Sequence, residues 1–290
     1  LFPRFAPLWG IPGDQAAGKT GLSDSMQVGQ VASLALDDGI ALRLKFEGAA
    51  PPKSALYFRG PVLSEFDGQK WQMDASLPQQ RPAWGQLGTQ LQGGVQGSGS
   101  IYRYQVTLEP SYRPWLLALE NPIAVQDLPE RPVWQSSDLQ LLMRRPASDL
   151  LRYAASSQVQ YRYDLQLPIW RQQHLASLPA GSNPRTVAWA QQWWQQAQAQ
   201  QPQASKAQLA QQFAQHLQST LHDGDYHYTL SPGLYGQHSA DEFWFDKKEG
   251  FCEHIASSFV IAMRAVGVPA RIVTGYQGAE QNTVDGYWVV

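Results

Sequence analysis

Three stretches of the chain alternate apolar and polar residues with a period of two. They cover residues 40–46, 102–108 and 159–167. In each stretch the apolar side chains lie two positions apart, so a strand would direct them to one face of a sheet and the polar ones to the other. We therefore predict a mainly antiparallel β domain over residues 1–168.

Turn and loop signals separate these stretches. Asp67 and Gly68 lie between two short apolar segments and predict a hairpin turn. The Gly/Ser-rich residues 93–99 predict a mobile loop. Residues 1 to about 40 are rich in Pro, Gly, Asp and Ser and predict an extended segment.

Beyond residue 168 the apolar spacing becomes helical. Residues 168–183 contain proline and glycine and predict a linker. Asn183 is expected to cap a helix whose first residue is Pro184. Ser205 is expected to cap the next helix. The buried stripe of that helix is formed by Leu209, Phe213, Leu217 and Leu221.

The last forty residues predict a buried helix followed by strands. The helix begins after Gly250 and is apolar around most of its circumference, which indicates burial on several sides. Gly267 suits a helix C-terminus, and strands are predicted over 270–276 and from residue 287 onward. We therefore predict an α+β protein, with residues 169–290 forming a core of helices plus an antiparallel sheet.

The composition limits the classes of function. Of the 290 residues 43% are hydrophobic, which is enough for a core, and the formal net charge is −2 without a basic stripe. Binding of nucleic acid through its phosphates therefore has no electrostatic support. No window reaches the roughly 20 apolar residues of a membrane-spanning helix, and no signal peptide is recognisable. The start at Leu1, without methionine, predicts a piece of a longer protein.

Cys252 is the only cysteine, and it lies at the first turn of the predicted buried helix. The thiolate is the reactive form of cysteine, and the dipole and unpaired N–H groups of a helix start lower a thiol's pKa. Cys252 is therefore the candidate catalytic nucleophile. The alternative interpretation is a small buried apolar residue.

A nucleophilic thiol needs a base, and the residues alone assign none of the six histidines to that role. His254 lies two residues after Cys252, about 200° around the helix, so its ring is expected to point away from the thiol. We expect His254 and Glu253 to lie around the site without taking part in the reaction directly. The Glu253 charge is expected to oppose the thiolate.

Metal binding was considered for one further segment. His222 and His227, together with Asp223 and Asp225, have suitable ligand atoms but no rigid ligand spacing. A single cysteine also permits no cysteine-based zinc site and no internal disulfide. No metal and no cofactor are expected.

Five segments around the cysteine carry a family resemblance. They are residues 228–232, 241–245, 250–259 (beginning Gly-Phe-Cys-Glu-His), 263–271 and 273–276 (Val-Thr-Gly-Tyr). Together they resemble the bacterial transglutaminase-like superfamily. The looser segments 1–4, 8–10, 21–26 and 57–60 resemble its TgpA-type branch, inner-membrane proteins with a large periplasmic region. The resemblance covers most of the chain.

The resemblance implies a papain-like Cys-His-Asp triad with Cys252 as the nucleophile. The family's histidine lies in a His-Ala-Trp motif on the strand after the cysteine helix, and its aspartate lies on the next strand. No histidine here matches that motif. We therefore expect both residues beyond Val290, a transglutaminase-like core truncated at its C-terminal end, and an inactive fragment.

The implied reaction is acyl transfer. The Cys252 thiolate attacks a glutamine side-chain amide, releases ammonia, and the thioester is resolved by a lysine amine or by water. The backbone N–H of Cys252 is the expected oxyanion donor. A tryptophan often gives the second donor in this superfamily. Trp244 is the candidate here, with a place in the core as the alternative.

The resemblance also implies location and partners. The chain is expected to be the periplasmic region of a membrane-anchored protein that acts on proteins or peptides, with peptidoglycan-associated material as a candidate. Two other functions stay open. One is a non-catalytic cell-envelope binding module with a degenerate papain-like core, and the other is a cysteine protease or amidase on the same fold.

Overall fold

The computed structural model describes residues 22–28, 39–74, 94–126, 128 and 131–290. Its strands are β1 (Ser25–Gln27), β2 (Leu42–Phe46), β3 (Tyr57–Leu63), β4 (Glu65–Phe66), β5 (Lys70–Gln72), β6 (Val95–Ser98), β7 (Tyr102–Leu108), β8 (Trp115–Leu116), β9 (Ala118–Leu119), β10 (Pro122–Val125), β11 (Val133–Gln135), β12 (Leu141–Met143), β13 (Leu151–Ser157), β14 (Gln160–Tyr163), β15 (His227–Tyr228), β16 (Glu249–Gly250), β17 (Ile272–Gln277), β18 (Glu280–Gln281) and β19 (Trp288–Val289).

The helices are concentrated in the second half of the chain. They are α1 (Ile169–Leu175), α2 (Pro184–Gln200), α3 (Lys206–Asp223), α4 (Ser239–Asp241) and α5 (Cys252–Ala265). A 3-10 turn covers Lys53–Ala55, and α4 continues into a π-helical segment, Glu242–Lys247. The predicted α+β class is confirmed.

Strands from both halves of the chain share two sheets. The largest sheet has the order β10-β13-β7-β2-β19-β18, and another has the order β17-β3-β9, all antiparallel. In the largest sheet Leu44 pairs with Val106 on one side and with Trp288 on the other. The strands that follow α5 therefore complete sheets begun before residue 168, while the boundary between residues 168 and 169 stays a prediction.

Two apolar cores result from this arrangement. The first lies under the largest sheet and includes Leu42, Leu44 and Tyr104. The second surrounds α5, where Phe259 to Met263 are buried against α2 and α3 and against Trp71 from strand β5. Helix α5 is thus buried on several sides, as its apolar circumference predicts.

Several local predictions are confirmed. The alternating residues 40–46 and 102–108 contain β2 and β7, and Asp67 and Gly68 connect the antiparallel pair β4 and β5. Ser205 caps α3 in a capping box with Gln208, and Leu209, Phe213 and Leu217 are buried. Leu221 is only half-buried.

Other local predictions are wrong. The Gly/Ser-rich segment is not simply a loop, because residues 95–98 form β6 and pair with β14. The alternation over 159–167 yields a strand only to Tyr163, and Leu165 is 50% exposed. Gly93 and most of residues 1–40 lie outside the described residues.

The predicted linker contains helix α1, in which Arg171 and Leu175 are buried. Asn183 precedes α2, but its side chain does not cap that helix. The carboxylate of Asp241 does so instead, accepting from the backbone N–H of Thr186 at 2.7 Å and of Arg185 at 3.0 Å. The cap thus comes from a residue 55 positions along the chain.

A buried ion-pair network joins α1 to the β region. The Arg171 guanidinium donates to Asp74 at 2.7 Å and to Asp138 at 3.2 Å. Arg271 contacts the same Asp138 at 3.2 Å and also binds Asp164. Each of these buried charges therefore has an opposite partner, as burial of charge requires.

The Arg264 guanidinium ties the end of α5 to three other segments. It donates to the backbone carbonyls of Ser64 at 2.7 Å, Ala270 at 2.9 Å and Ser177 at 3.2 Å, and lies 4.9 Å from the ring centroid of Trp71. Burial lowers the pKa of Arg264 to about 10. Of the three carbonyls that accept from this side chain, the one of Ser64 belongs to a buried residue.

We predict that Arg264→Met lowers the free energy of unfolding by about 2–4 kcal/mol, because it leaves the buried carbonyl of Ser64 unpaired and removes two further hydrogen bonds. Denaturant unfolding of the purified protein measures this change. Arg185→Met is the matched control. Its guanidinium is exposed and binds Asp246 at the surface, so the loss should stay within about 0.5 kcal/mol. Equal losses in the two variants would contradict the prediction.

Candidate active site at the start of helix α5

Cys252 is the first residue of α5, as predicted, and it is exposed. Strand β16 leads directly into the helix and pairs in parallel with β15, so Tyr228 lies opposite Gly250. The N–H of Thr229 donates to the carbonyl of Gly250 at 2.9 Å. Two short strands therefore hold the backbone from which the thiol projects.

Gly250 is required by a close approach. A Cβ atom at this position would lie 2.7 Å from the Cβ and 2.8 Å from the Cγ of His254. The His254 ring is buried between Tyr235 and Phe251, at centroid distances of 4.5 Å and 4.8 Å. The sequence Gly-Phe-Cys-Glu-His therefore places the His254 imidazole against Gly250, next to the helix start that carries the thiol.

His254 is not positioned as the base. Neither of its ring nitrogens has a hydrogen-bond partner among the described residues, and its Nδ1 lies 3.8 Å from Glu253 Oε1. Burial lowers the pKa of His254 to about 4, and Lys247 adds to the effect. The ring is therefore neutral at neutral pH and packs beside the site.

The electrostatic environment of the thiol opposes its ionisation. Burial raises the pKa of Cys252 above its ordinary value, and the Glu253 carboxylate raises it further. The backbone N–H groups of Glu253 and Cys252 lower it, as expected at a helix start. Cys252 is exposed, so a reactant can reach it. Burial and the Glu253 charge nevertheless raise the thiol pKa more than the two backbone N–H groups lower it. The thiol is therefore not ionised by the helix alone.

Trp244 does not supply a donor to this site. Its indole N–H donates to the carbonyl of Ser258 at 3.2 Å, and the side chain is 2% exposed. The alternative interpretation, a place in the core, fits its position. The indole hydrogen is already donated to Ser258, nearly two turns beyond Cys252 along α5.

Two tyrosines that sequence reasoning missed lie near the thiol. The Tyr57 hydroxyl donates to the carbonyl of Val273 at 3.2 Å, and a Cβ at Gly275 would lie 3.0 Å from that hydroxyl. Tyr228 lies opposite Gly250 in the β15–β16 pair, and burial and the nearby Cys252 thiol raise the pKa of its phenol. For the approach of Tyr57, the sequence signal was the glycine at position 275 inside a predicted strand.

Four of the five other histidines have side-chain contacts elsewhere. The fifth, His227, is exposed on β15, and its backbone N–H donates to the carbonyl of Lys248. His174 contacts Glu65, His216 stacks on Trp193, His222 contacts Asp223, and the Nδ1 of His238 accepts from the N–H of Asn183. None of these contacts involves Cys252. The described residues thus leave the base unassigned.

One group of possible metal ligands occurs among the described residues. Single ligand atoms of Glu65, Asp74 and His174 lie within 4.8 Å of one another. Arg171 already donates to Asp74 at 2.7 Å, so the group belongs to the ion-pair network. The segment with His222 and His227 does not form such a group.

The Glu253 carboxylate should control the ionisation of the thiol. We predict that the rate of Cys252 alkylation by iodoacetamide rises with a midpoint above that of an ordinary thiol, and that Glu253→Gln moves the midpoint to lower pH. Glu249→Gln is the control, since that carboxylate is not among the groups that shift this thiol. A wild-type midpoint at or below that of a cysteine peptide would refute the assignment.

The buried His254 should make stability depend on pH. Its folded pKa of about 4 lies below the ordinary 6.5, so the unfolded chain binds the proton more tightly. Stability from this group is present above about pH 6.5 and is lost toward pH 4, by as much as about 3 kcal/mol. Between pH 7 and pH 4.5, the free energy of unfolding of His254→Leu should therefore fall less than that of wild type. An equal loss would remove His254 as the cause.

Comparison with known proteins gives matches over both halves of the chain. Residues 1–164 match the family described as the TgpA N-terminal domain, and residues 190–290 match the transglutaminase-like superfamily. A protein-glutamine gamma-glutamyltransferase of Pseudomonas aeruginosa is 38% identical over 292 residues, covering 100% of this chain. The chain spans 40% of the length of that relative.

Two further similarities concern a shorter segment and the fold. The uncharacterized protein YebA of Bacillus subtilis is 42% identical over 40 residues, which is 14% of this chain and 5% of YebA. The crystal structure of the periplasmic domain of TgpA from Pseudomonas aeruginosa has a TM-score of 0.78 at 34% identity, covering 93% of this chain and 85% of that one. Its ethylmercury-bound form has a TM-score of 0.76 at 33% identity, covering 93% and 87%.

None of the described helices combines the length and the apolar composition that crossing a membrane requires. The predicted fold, a β region followed by a transglutaminase-like core, agrees with the TgpA periplasmic domain. The resemblance found around Cys252 is likewise confirmed by matches that span the chain. The chain therefore belongs to the TgpA family of bacterial transglutaminase-like proteins.

Proposed function

We propose that this chain is the periplasmic part of a membrane-anchored enzyme that transfers acyl groups from glutamine side-chain amides through a thioester on Cys252. Its homology to a protein-glutamine gamma-glutamyltransferase supports a transglutaminase-like function. The observation that carries the proposal is the position of the thiol, which is exposed at the first turn of a buried helix, where the backbone N–H groups of Glu253 and Cys252 lower its pKa.

The proposed chemistry begins with attack on an amide. The Cys252 sulfur forms a bond to the carbonyl carbon, and the π electrons of the carbonyl move to its oxygen, which accepts from the backbone N–H of Cys252. As this intermediate collapses, the amide nitrogen takes up the proton that the base removed from the thiol, the carbonyl re-forms, and ammonia leaves. A lysine amine or water then attacks the thioester and releases the thiol.

The raised pKa of the Cys252 thiol makes a base necessary. The family resemblance expects a histidine to take that proton and an aspartate to orient the histidine. An imidazolium close to the sulfur stabilises the thiolate, which offsets the effects of burial and of Glu253. The proposed nucleophile is therefore one member of a triad.

Location and substrates extend the same proposal. The similarity to a periplasmic domain supports a periplasmic location, with membrane anchoring by segments of the parent protein. Proteins or peptides are the proposed substrates, and peptidoglycan-associated material is a candidate source of amide and amine groups. The net charge of −2 gives no support for nucleic acid as a partner.

Replacing the nucleophile tests the proposal in the full-length protein. Cys252→Ala should abolish both ammonia release and incorporation of a labelled amine into a glutamine-containing protein, a loss of at least about 1,000-fold. His222→Ala, which removes an exposed side chain on α3, should keep full activity.

Three other outcomes identify the alternatives. Activity retained by Cys252→Ala would refute the thioester mechanism. Cleavage of peptide bonds without ammonia release would identify a protease. A wild-type protein inactive in both assays would favour a non-catalytic cell-envelope module.

A further inference from the structure

We propose that Tyr235 is a positioning residue for the Cys252 site. In this assignment the Tyr235 hydroxyl fixes the short strand β16 that leads into α5, so that the sulfur and the backbone N–H of Cys252 reach the same carbonyl group during acylation. The inference rests on the proposed function in one respect only, that Cys252 becomes acylated.

Hydrogen bonds fix strand β16 along both of its edges. On the edge toward β15, the carbonyls of Lys248 and Gly250 accept from backbone N–H groups of β15 and the residue after it, at 2.8 Å and 2.9 Å. The carbonyl of Glu249 lies between these two in the chain and accepts from the Tyr235 hydroxyl instead. Because successive carbonyls of a strand point in opposite directions, this bond holds the other edge of β16.

The ring of Tyr235 contacts the chain on both sides of the nucleophile. Its centroid lies 4.5 Å from the Nζ of Lys247, which precedes β16, and 4.5 Å from the centroid of the His254 ring, which belongs to the first turn of α5. The His254 ring in turn packs at 4.8 Å against that of Phe251, the residue directly before Cys252. Cation–ring and ring–ring contacts of this kind are favourable, so they hold the hydroxyl of Tyr235 close to the helix start.

The backbone around Tyr235 is held by the π-helical segment. The ammonium group of Lys247 donates to the carbonyl of Leu234, and the N–H of Gly236 donates to the carboxylate of Glu242 at 2.8 Å. Glu242 and Lys247 begin and end the π-helical segment, in which hydrogen bonds join residues five apart, and Lys247 Nζ lies 3.9 Å from Glu242 Oε2. The residues on both sides of Tyr235 are therefore anchored, and the hydroxyl between them has a fixed position.

The Tyr235 hydroxyl has the proton that the role requires. Burial raises the pKa of Tyr235, and the carboxylates of Glu249 and Glu242 raise it further, so the phenol stays protonated at neutral pH. A protonated phenol donates one hydrogen bond, and here the carbonyl of Glu249 accepts it. Phenylalanine at this position would keep the ring contacts and remove only this bond.

Acylation makes a geometric demand that the position of β16 has to meet. The sulfur must attack the carbonyl carbon while the carbonyl oxygen accepts from the backbone N–H of Cys252. A displacement of about 1 Å can lower the rate of such a reaction about 100-fold. Strand β16 has only two residues, so losing the bond from Tyr235 frees one of its two edges. Tyr235 thus acts through the position of Cys252 and does not itself contact the substrate.

The experiment compares two reactions of the same thiol in the full-length protein. Acylation by p-nitrophenyl acetate needs the sulfur and the N–H of Cys252 aligned on one carbonyl group, and it is followed by the nitrophenolate burst after subtraction of the Cys252→Ala rate. Alkylation by iodoacetamide is a displacement at carbon without an oxyanion. Thiol ionisation and access to the sulfur affect both reactions, so the ratio of the two rate constants measures the alignment.

Tyr235→Phe should lower the rate constant of acylation about 10-fold relative to that of alkylation, because β16 loses the bond on one edge. Tyr226→Phe is the matched control. Tyr226 is also half-buried beside a lysine, with the Nζ of Lys248 5.8 Å from its ring centroid, and its hydroxyl donates to the carbonyl of Trp244 at 2.9 Å in the π-helical segment. Its ratio should stay within about twofold of wild type, since β16 keeps its bonds.

Restoring a donor gives a second measurement. Incorporation of 4-aminophenylalanine at position 235 keeps an N–H group where the hydroxyl was, so the ratio should return to within about threefold of wild type. The unfolding temperature of each variant, measured in parallel, separates an effect on alignment from an effect on stability.

A ratio in Tyr235→Phe within about twofold of wild type would overturn the assignment, even with a lower unfolding temperature, because the hydroxyl would then only stabilise the fold. An equal fall in Tyr226→Phe, or no recovery with 4-aminophenylalanine, would overturn it as well. If wild type is acylated by the ester but releases no ammonia from glutamine peptides, the proposed function fails. The ratio still decides the role of Tyr235 in that case.

Discussion

The position of helix α5 depends on hydrogen bonds that reach it from distant segments. The Trp71 indole donates to the hydroxyl of Ser257 at 2.9 Å, and the Arg264 guanidinium donates to Ser64 at 2.7 Å. Each partner is buried, so losing any of these bonds leaves a polar group without water to replace it. The helix cannot slide or rotate without breaking several at once. The thiol at its first turn is thereby positioned from within the core.

These hydrogen bonds give the thiol a fixed position, but they do not ionise it. Two N–H groups at the helix start stabilise the thiolate, while burial and the adjacent Glu253 oppose it more strongly. A nucleophile under such a balance stays protonated until a base is present. Reactivity then depends on assembling the complete site, and an isolated helix start is insufficient.

The parts of the structure that sequence predicts are those determined by nearby residues. The Ser205 capping box and the position of Cys252 follow from a few adjacent positions. The strand at residues 95–98 and the capping of α2 by Asp241 depend on partners about 55 to 65 positions away, so local composition misled the prediction. Tyr228 was missed for the same reason, because its approach to Cys252 requires the pairing of β15 with β16.

The sharing of sheets between the two halves of the chain has a consequence for how the protein is made. Strands β2 and β3 are synthesised well before their neighbours β19 and β17, and Trp71 lies 186 positions before its partner Ser257. Such distant contacts make folding slow and leave strand edges open until the later strands are present. Helix α5 therefore reaches its final surroundings only after segments from both halves of the chain have come together, and a partly folded chain does not hold Cys252 in an assembled site.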